Sequence, residues 1–154
     1  MDVLGKIKNN HQDAVVMSCK EERQGKLKVR MEGIKHYVIL KGELIRQRKS
    51  KICDCLIFIK EGKNIKVALV ERKRRNPEID KHKAKQLKEG YEIIKDALPH
   101  YGINSMKDIN IEFVMYYEYL GRPSGAKGTK GTTIYGKPVH FLNYHREPLK
   151  TVFD

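Results

Sequence analysis

The chain has 154 residues and a formal net charge of +13, because 32 lysines and arginines face only 19 acidic residues. This length predicts a single domain, 1–154, with one hydrophobic core, and no apolar run reaches the roughly 18 residues of a membrane span. The positive excess favours a polyanionic partner, with nucleic acid as the leading candidate; the alternative is the lysine-rich surface of a thermophilic or A/T-rich genome.

The first 35 residues have no decisive periodicity and are expected to form an N-terminal helical or mixed segment. Within it, 3–8 and 13–22 are each compatible with a helical turn or a short strand. No apolar stretch of the signal-peptide type is found there, and a cytoplasmic, intracellular location without membrane contact is expected.

The predicted core covers 36–143 and begins with an antiparallel meander of three strands: 36–46, 52–60 and 65–73. A helix over 76–98 follows, with Asn76 as its N-cap and Pro77 at its first position. A strand over 108–120, a glycine-rich basic loop over 121–131 and a hairpin over 132–143 complete the core. Residues 144–154 are expected to be a weakly ordered tail.

Three cysteines are too few for a disulfide framework, and no four-thiolate zinc site can be built from them. Cys53 and Cys55 flank Asp54 on one predicted strand, so both side chains face away from the Asp54 side chain. We therefore expect both residues to pack in the core as free thiols.

The turn at 61–64 lies between two apolar, β-branched runs and predicts a β-hairpin. If the turn is centred between Gly62 and Lys63, Asp54 lies opposite Glu71, and their side chains share one face. Lys73 points the same way, because strand side chains alternate with a period of two.

The pairs inward from these acids, Leu56–Leu69 and Phe58–Val67, are apolar, so the two carboxylates cap a buried stripe. Facing carboxylates repel, and a hard divalent cation between them would remove that cost. The alternative is that both acids are solvated strand ends paired with nearby basic residues. A second Glu-x-Lys, at Glu61 and Lys63, lies at the turn tip and lacks a facing acid.

The order of Asp54, a hairpin, Glu71-Arg72-Lys73 and a helix carrying Gln86 resembles the core of the PD-(D/E)xK nuclease superfamily. The resemblance covers 42–98. It implies an α/β, restriction-endonuclease-like fold, a mixed β-sheet flanked by helices. The chain departs from the family pattern at Cys53, which replaces a proline, and at Arg74, which replaces a glycine.

The resemblance implies an endonuclease that hydrolyses phosphodiester bonds of duplex or branched DNA and depends on Mg²⁺ or Mn²⁺. The metal would be held by Asp54, Glu71 and the backbone carbonyl of Arg72. Lys73 would orient the attacking water and stabilise developing negative charge, and Gln86 would hydrogen-bond near Lys73 or the phosphate. Glu43, on the strand before Asp54, is a candidate additional acid.

Six basic residues are candidates for contacts with the nucleic-acid backbone: Arg72, Arg74, Arg75, Arg122, Lys127 and Lys130. The last three lie in the glycine-rich loop, which is equally compatible with a plain connection between strands. The resemblance also implies a homodimer. Three alternatives remain open: an RNA-directed nuclease, a non-catalytic nucleic-acid-binding module that keeps the fold, and an interaction protein with an acidic partner.

Overall fold

The computed structural model describes residues 1–20, 28–45, 51–75, 81–119 and 133–154 of the chain. Its centre is a seven-stranded mixed sheet in the order β1-β2-β3-β4-β5-β7-β6. From β1 to β4 each strand is antiparallel to the next, β5 is parallel to β4 and to β7, and β6 is antiparallel to β7. The strands are β1 Val15–Val16, β2 Tyr37–Lys41, β3 Cys55–Glu61, β4 Asn64–Arg75, β5 Ile109–Tyr119, β6 Thr133–Ile134 and β7 Lys137–Asn143.

The predicted meander is confirmed as β2, β3 and β4, and the register of its hairpin is also confirmed. Leu56 pairs with Leu69 and Phe58 pairs with Val67, as the turn at Gly62 predicts. The first strand is shorter than expected, because the chain leaves the sheet after Lys41 and forms a 3₁₀ turn over Gly42–Leu44. The expected strand at 108–120 and the hairpin at 132–143 are present as β5 and as β6 with β7.

The α-helices of the described residues, α1 Val3–Asn10 and α2 Lys81–Ala97, cover the same face of the sheet. Leu4 and Ile7 of α1 and Leu87 and Ile94 of α2 join one core cluster with Phe58. The predicted helix start at Asn76 and Pro77 lies outside the described residues. Neither α1 nor α2 is long and apolar enough to cross a membrane.

The opposite face of the sheet is covered by irregular chain, and the expectation of a weakly ordered tail is wrong. Tyr144 packs against Tyr116 with ring centroids 5.0 Å apart. Leu149 is fully buried at the start of a 3₁₀ helix, Leu149–Phe153, and its backbone N–H donates to the carbonyl of Arg30 at 2.9 Å. The tail follows this path because its apolar side chains complete the second core cluster.

The expectation of a free thiol is confirmed for Cys53 and wrong for Cys55, because Cys19 and Cys55 form a disulfide with a Cα–Cα distance of 6.1 Å. The chain bends at Asp54, so the side-chain alternation is broken there. Cys53 therefore packs in the cluster on the helix side, while Cys55 packs in the cluster on the opposite face, where Cys19 lies. Only Cys53 is a free, buried thiol.

The disulfide should contribute strongly to stability, because it closes a sequence separation of 36 residues. We expect Cys19→Ser to lower the free energy of unfolding by about 2–4 kcal/mol. Urea denaturation of wild type and variant, each with and without dithiothreitol, measures this loss. Dithiothreitol should destabilise only the wild type, and an unchanged wild-type midpoint would contradict the expectation.

Candidate active site

Asp54 and Glu71 lie at the same end of the β3–β4 pair. Asp54 immediately precedes β3, and Glu71 follows Val70, which pairs with Cys55. The Glu71 side chain has no exposed surface, whereas that of Asp54 is 25% exposed. Within the described part of the chain, Glu71 is the one charged residue that is fully buried.

Backbone hydrogen bonds fix the two carboxylates reciprocally. The N–H of Asp54 donates to Oε1 of Glu71 at 3.0 Å, and the N–H of Arg72 donates to Oδ2 of Asp54 at 2.8 Å. Each acid therefore accepts a hydrogen bond from the backbone of the opposite strand segment. Hydrogen bonds to ionised acceptors are about twice as strong as neutral ones, so this arrangement holds both side chains in place.

Gly42 holds the Asp54 segment against the end of β2. Its N–H donates to the carbonyl of Asp54 at 2.9 Å. A Cβ at this position would lie 1.9 Å from the carbonyl oxygen of Cys53, so no larger residue fits without a backbone shift. The close approach therefore requires glycine, and it positions the bend from which Asp54 projects.

Helix α2 supplies two further contacts to Glu71. Nζ of Lys83 lies 2.7 Å from Oε2 of Glu71. The side-chain nitrogen of Gln86, in the orientation that satisfies both residues, donates to Oε1 and Oε2 at 3.0 and 3.1 Å. The backbone carbonyl of Gln86 also accepts from the N–H of Cys53 at 3.0 Å, so the same turn of α2 is fastened to the Asp54 segment.

Lys83 was missed by the sequence reasoning. Lys83 and Gln86 are three residues apart on α2, a spacing that places two side chains on one helix face. The sequence signal for Lys83 is therefore its spacing from Gln86. The observed partner of the Gln86 side chain is Glu71.

The electrostatics of the site are dominated by burial. The pKa of Glu71 is raised from 4.5 to about 7, first because the carboxylate is buried and then because Asp54 is negative, although the hydrogen bond and charge of Lys83 act to lower it. The pKa of the Cys53 thiol is raised well above its usual value, first because the thiol is buried and then because Glu71 and Asp54 are negative. Cys53 is therefore a protonated thiol beside the carboxylates.

Lys73 lies in β4 two residues after Glu71 and faces the same side of the sheet, because strand side chains alternate. Its side chain is partly buried, and its backbone is in register with Tyr117 of β5. Arg72, between them in sequence, faces the opposite side and lines a cavity together with Cys55. The acid and the lysine thus share one face as the sequence predicts.

The structure does not bring Glu43 together with the other two acids. Glu43 belongs to the 3₁₀ turn rather than to a strand, and its exposed carboxylate lies 2.7 Å from Nζ of Lys41, which holds the pKa of Glu43 below its usual value. No group of three or more histidine, cysteine or acidic side chains suited to a metal occurs in the described residues. The strand position expected for Glu43 is therefore wrong.

Five further basic residues were predicted to contact the nucleic-acid backbone. Arg74 and Arg75 are the last two residues of β4. Arg122, Lys127 and Lys130 fall between 119 and 133 and lie outside the described residues.

The oxygens of Asp54 and Glu71 form a donor set that suits a hard cation. Mg²⁺ is commonly bound by one or two carboxylates and completes its coordination with water and substrate phosphate oxygens. Two carboxylates at the end of one strand pair meet that requirement. Lys83 already contacts one oxygen of Glu71, so a cation would share this carboxylate with an ammonium group or displace it.

The raised pKa of Glu71 predicts how the stability of the metal-free protein depends on pH. Because the folded protein binds this proton more tightly than the unfolded chain, its contribution is fully present below pH 4.5 and is lost as the pH rises through about 7. The free energy of unfolding of wild type relative to Glu71→Gln should therefore fall by about 3 kcal/mol across that window. Urea titrations from pH 4 to 8 in EDTA measure it, and a constant difference would contradict the prediction.

No protein-family model matches the chain, and no curated protein and no solved structure matches it. What the site can do chemically is therefore inferred from its own distances, burial and charges. The site contains the buried carboxylate of Glu71 and the carboxylate of Asp54 beside it. It also contains Lys73 of β4 and, from α2, Lys83 and Gln86.

Proposed function

We propose that this protein is a metal-dependent nuclease that hydrolyses phosphodiester bonds, with duplex or branched DNA as its substrate. The observation that carries the proposal is the fully buried Glu71 beside Asp54, with Lys73 on the same face of β4. A charge is rarely placed in a protein core without a role, and perturbed acids of this kind occur often at catalytic sites.

Two further features support a restriction-endonuclease-like fold. The strand that carries Glu71-Arg72-Lys73 is central in a mixed sheet, between antiparallel β3 and parallel β5. The helix that follows this strand carries the glutamine that contacts Glu71. Both features agree with the resemblance, except that α1 and α2 cover one face rather than flanking both.

Asp54 and Glu71 would hold Mg²⁺ or Mn²⁺, which when bound polarises a phosphoryl oxygen and lowers the pKa of a coordinated water. The chain's own residues perform the remaining tasks. Gln86 and Lys83 orient the Glu71 carboxylate, and the N–H of Arg72 orients that of Asp54. Lys73 would place an ammonium group near the scissile phosphate, where it stabilises developing negative charge and orients the attacking water. The carbonyl of Arg72 is a further metal ligand that the resemblance implies.

The net charge of +13 supports nucleic acid as the partner, because phosphate contacts supply most of the sequence-independent affinity of such proteins. A homodimer acting on two strands of a duplex or junction belongs to the proposal. So does a cytoplasmic location, but only for an organism whose intracellular proteins retain disulfides, as in hyperthermophiles, because disulfides such as Cys19–Cys55 are otherwise rare in the cytosol.

One observation favours a second candidate, a non-catalytic nucleic-acid-binding module. Glu71 accepts hydrogen bonds from Asp54 and Gln86 and pairs with Lys83, so its carboxylate is satisfied by the chain itself. In that role these contacts of Glu71 would specify the packing of α2 on the sheet. Cleavage assays separate the two candidates.

Cleavage of labelled duplex, single-stranded and four-way-junction DNA in Mg²⁺ or Mn²⁺ tests the proposal. We expect wild type to cut at least one substrate, EDTA to stop it, and Glu71→Gln to reduce the rate by at least about a hundredfold, because the variant removes a charge that acts on the reacting atoms. Labelled RNA in the same assay tests the alternative substrate.

The matched control is Glu61→Gln, which makes the same change in the other Glu-x-Lys sequence. Glu61 lies at the hairpin turn with a side chain that is 68% exposed. Its variant should cleave like wild type. DNA binding by both proteins without cleavage of any DNA or RNA substrate would leave the non-catalytic module.

Lys73 should be needed for cleavage and not for folding. Lys73→Met and Lys73→Arg should both lose most of the cleavage rate, because a planar guanidinium does not reproduce the geometry of a compact ammonium group. Single-turnover cleavage at saturating protein, together with thermal unfolding, measures the two effects separately. Wild-type cleavage by Lys73→Met would remove Lys73 from the mechanism.

A further inference from the structure

A cavity of about 290 Å³ lies on the side of β4 opposite to Glu71. Its lining residues come from β1 and the segment after it, the end of β2, the start of β3, and β4: Val16, Met17, Ser18, Lys20, Lys41, Cys55 and Arg72. Three of these are basic and none is acidic. The cavity is therefore cationic, although it is also largely walled by apolar side chains.

Arg72 is the residue that gives this cavity its chemistry. Its side chain is only 15% exposed, and its Nε lies 3.5 Å from Oδ2 of Asp54, an ion pair longer than a hydrogen bond. Nε and Nη1 are buried and make no hydrogen bond with the described part of the chain. A buried guanidinium with unused donors carries a desolvation cost that an anion in the cavity would offset.

The nearby acids compensate only part of this charge. The carboxylate of Glu43 is held by Lys41 at 2.7 Å and is 63% exposed, and that of Asp54 accepts the backbone N–H of Arg72. Lys20 adds an exposed cation at the rim. The planar guanidinium of arginine presents its N–H donors in a fixed geometry, and together with a neighbouring lysine it recognises the oxygens of a phosphate.

The Cys19–Cys55 disulfide attaches one wall of the cavity to β3, which begins next to Asp54 of the proposed active site. Val16, Met17, Ser18 and Lys20 lie next to Cys19, which is bonded to Cys55 at the first position of β3. Asp54 immediately precedes Cys55, so the cavity and the carboxylate site share one short stretch of chain. An anion held by Arg72 would thus lie on the opposite face of the sheet from Glu71, with Asp54 in contact with both residues.

We propose that this cavity is a phosphate-binding subsite that takes a backbone phosphate of the nucleic acid near the scissile one, with Arg72 as its principal ligand and Lys41 as its second. The choice of nucleic acid as the source of the phosphate rests on the proposed function. Binding of phosphate at Arg72 does not. A nucleic-acid phosphate and free phosphate would bind in the same way, with two phosphate oxygens facing the Arg72 guanidinium.

The test uses the full chain in EDTA, so that binding is measured without cleavage. Dissociation constants for a labelled DNA duplex and a single strand are measured over a salt series for wild type, Arg72→Gln and Lys41→Gln. Arg72→Gln should weaken binding about tenfold and reduce the slope of log K against log salt by about 1, the value for one lost phosphate contact. Lys41→Gln should show a smaller change in the same direction.

Lys66→Gln is the matched control, because it removes one positive charge from β4 outside the cavity. The Lys66 side chain is 20% exposed and pairs with Glu61 at 2.9 Å. Its variant should keep the wild-type salt slope. Arg72→Lys keeps the positive charge but lacks the planar guanidinium. It should bind with intermediate affinity if the variant folds with a wild-type thermal transition.

Titration of inorganic phosphate into wild type and Arg72→Gln distinguishes the two sources of phosphate. Saturable binding that Arg72→Gln abolishes, together with the loss of DNA affinity, supports the subsite as proposed. Phosphate binding without any effect of Arg72→Gln on DNA overturns the nucleic-acid assignment, and no effect on either ligand overturns the subsite. A wild type that never cleaves but shows the Arg72 effect contradicts the nuclease proposal alone.

Discussion

The burial of the Glu71 carboxylate is the constraint on which the site and much of the surrounding fold depend. Taking an unpaired carboxylate out of water costs several kcal/mol, so its partners must be present for the chain to fold in this way. Those partners come from the Asp54 segment and from α2, through Asp54, Lys83 and Gln86. The docking of α2 on the sheet and the geometry of the two carboxylates consequently depend on the same contacts.

Strand alternation divides the chemistry of β4 between the two faces of the sheet. Glu71 and Lys73 face the helix side, whereas Arg72 faces the cavity beside the disulfide. Asp54 connects the two, because its carboxylate accepts the Arg72 N–H and lies near the guanidinium while its own N–H donates to Glu71. Acidic and basic groups therefore lie on opposite faces of the sheet where β3 begins, with Asp54 between them.

The two faces of the sheet are stabilised in different ways. Helices α1 and α2 cover one face with a continuous apolar cluster. The other is covered by irregular segments from both ends of the chain, which the Cys19–Cys55 disulfide and the buried Leu149 attach to the sheet. Such segments have few regular hydrogen bonds of their own, so a covalent link contributes more to their ordering than it would to a helix.

The sequence by itself determined the features that depend on short-range periodicity. The turn at Gly62 and the alternation of apolar residues were enough to predict the β3–β4 register, and hence that Asp54 and Glu71 lie at the same end of this strand pair. These predictions succeeded because turn geometry and side-chain period are properties of a few neighbouring residues. Gln86 entered through the family resemblance, and its observed partner is Glu71.

Only the tertiary structure decided the features that depend on contacts between distant segments. The bend at Asp54 sends Cys53 and Cys55 to opposite faces, and the partner of Cys55 lies 36 residues away. The contact of Lys83 with Glu71 and the buried path of the C-terminal segment were decided in the same way. No local pattern encodes them, because their free energy comes from filling the space and satisfying the charges that the assembled sheet creates.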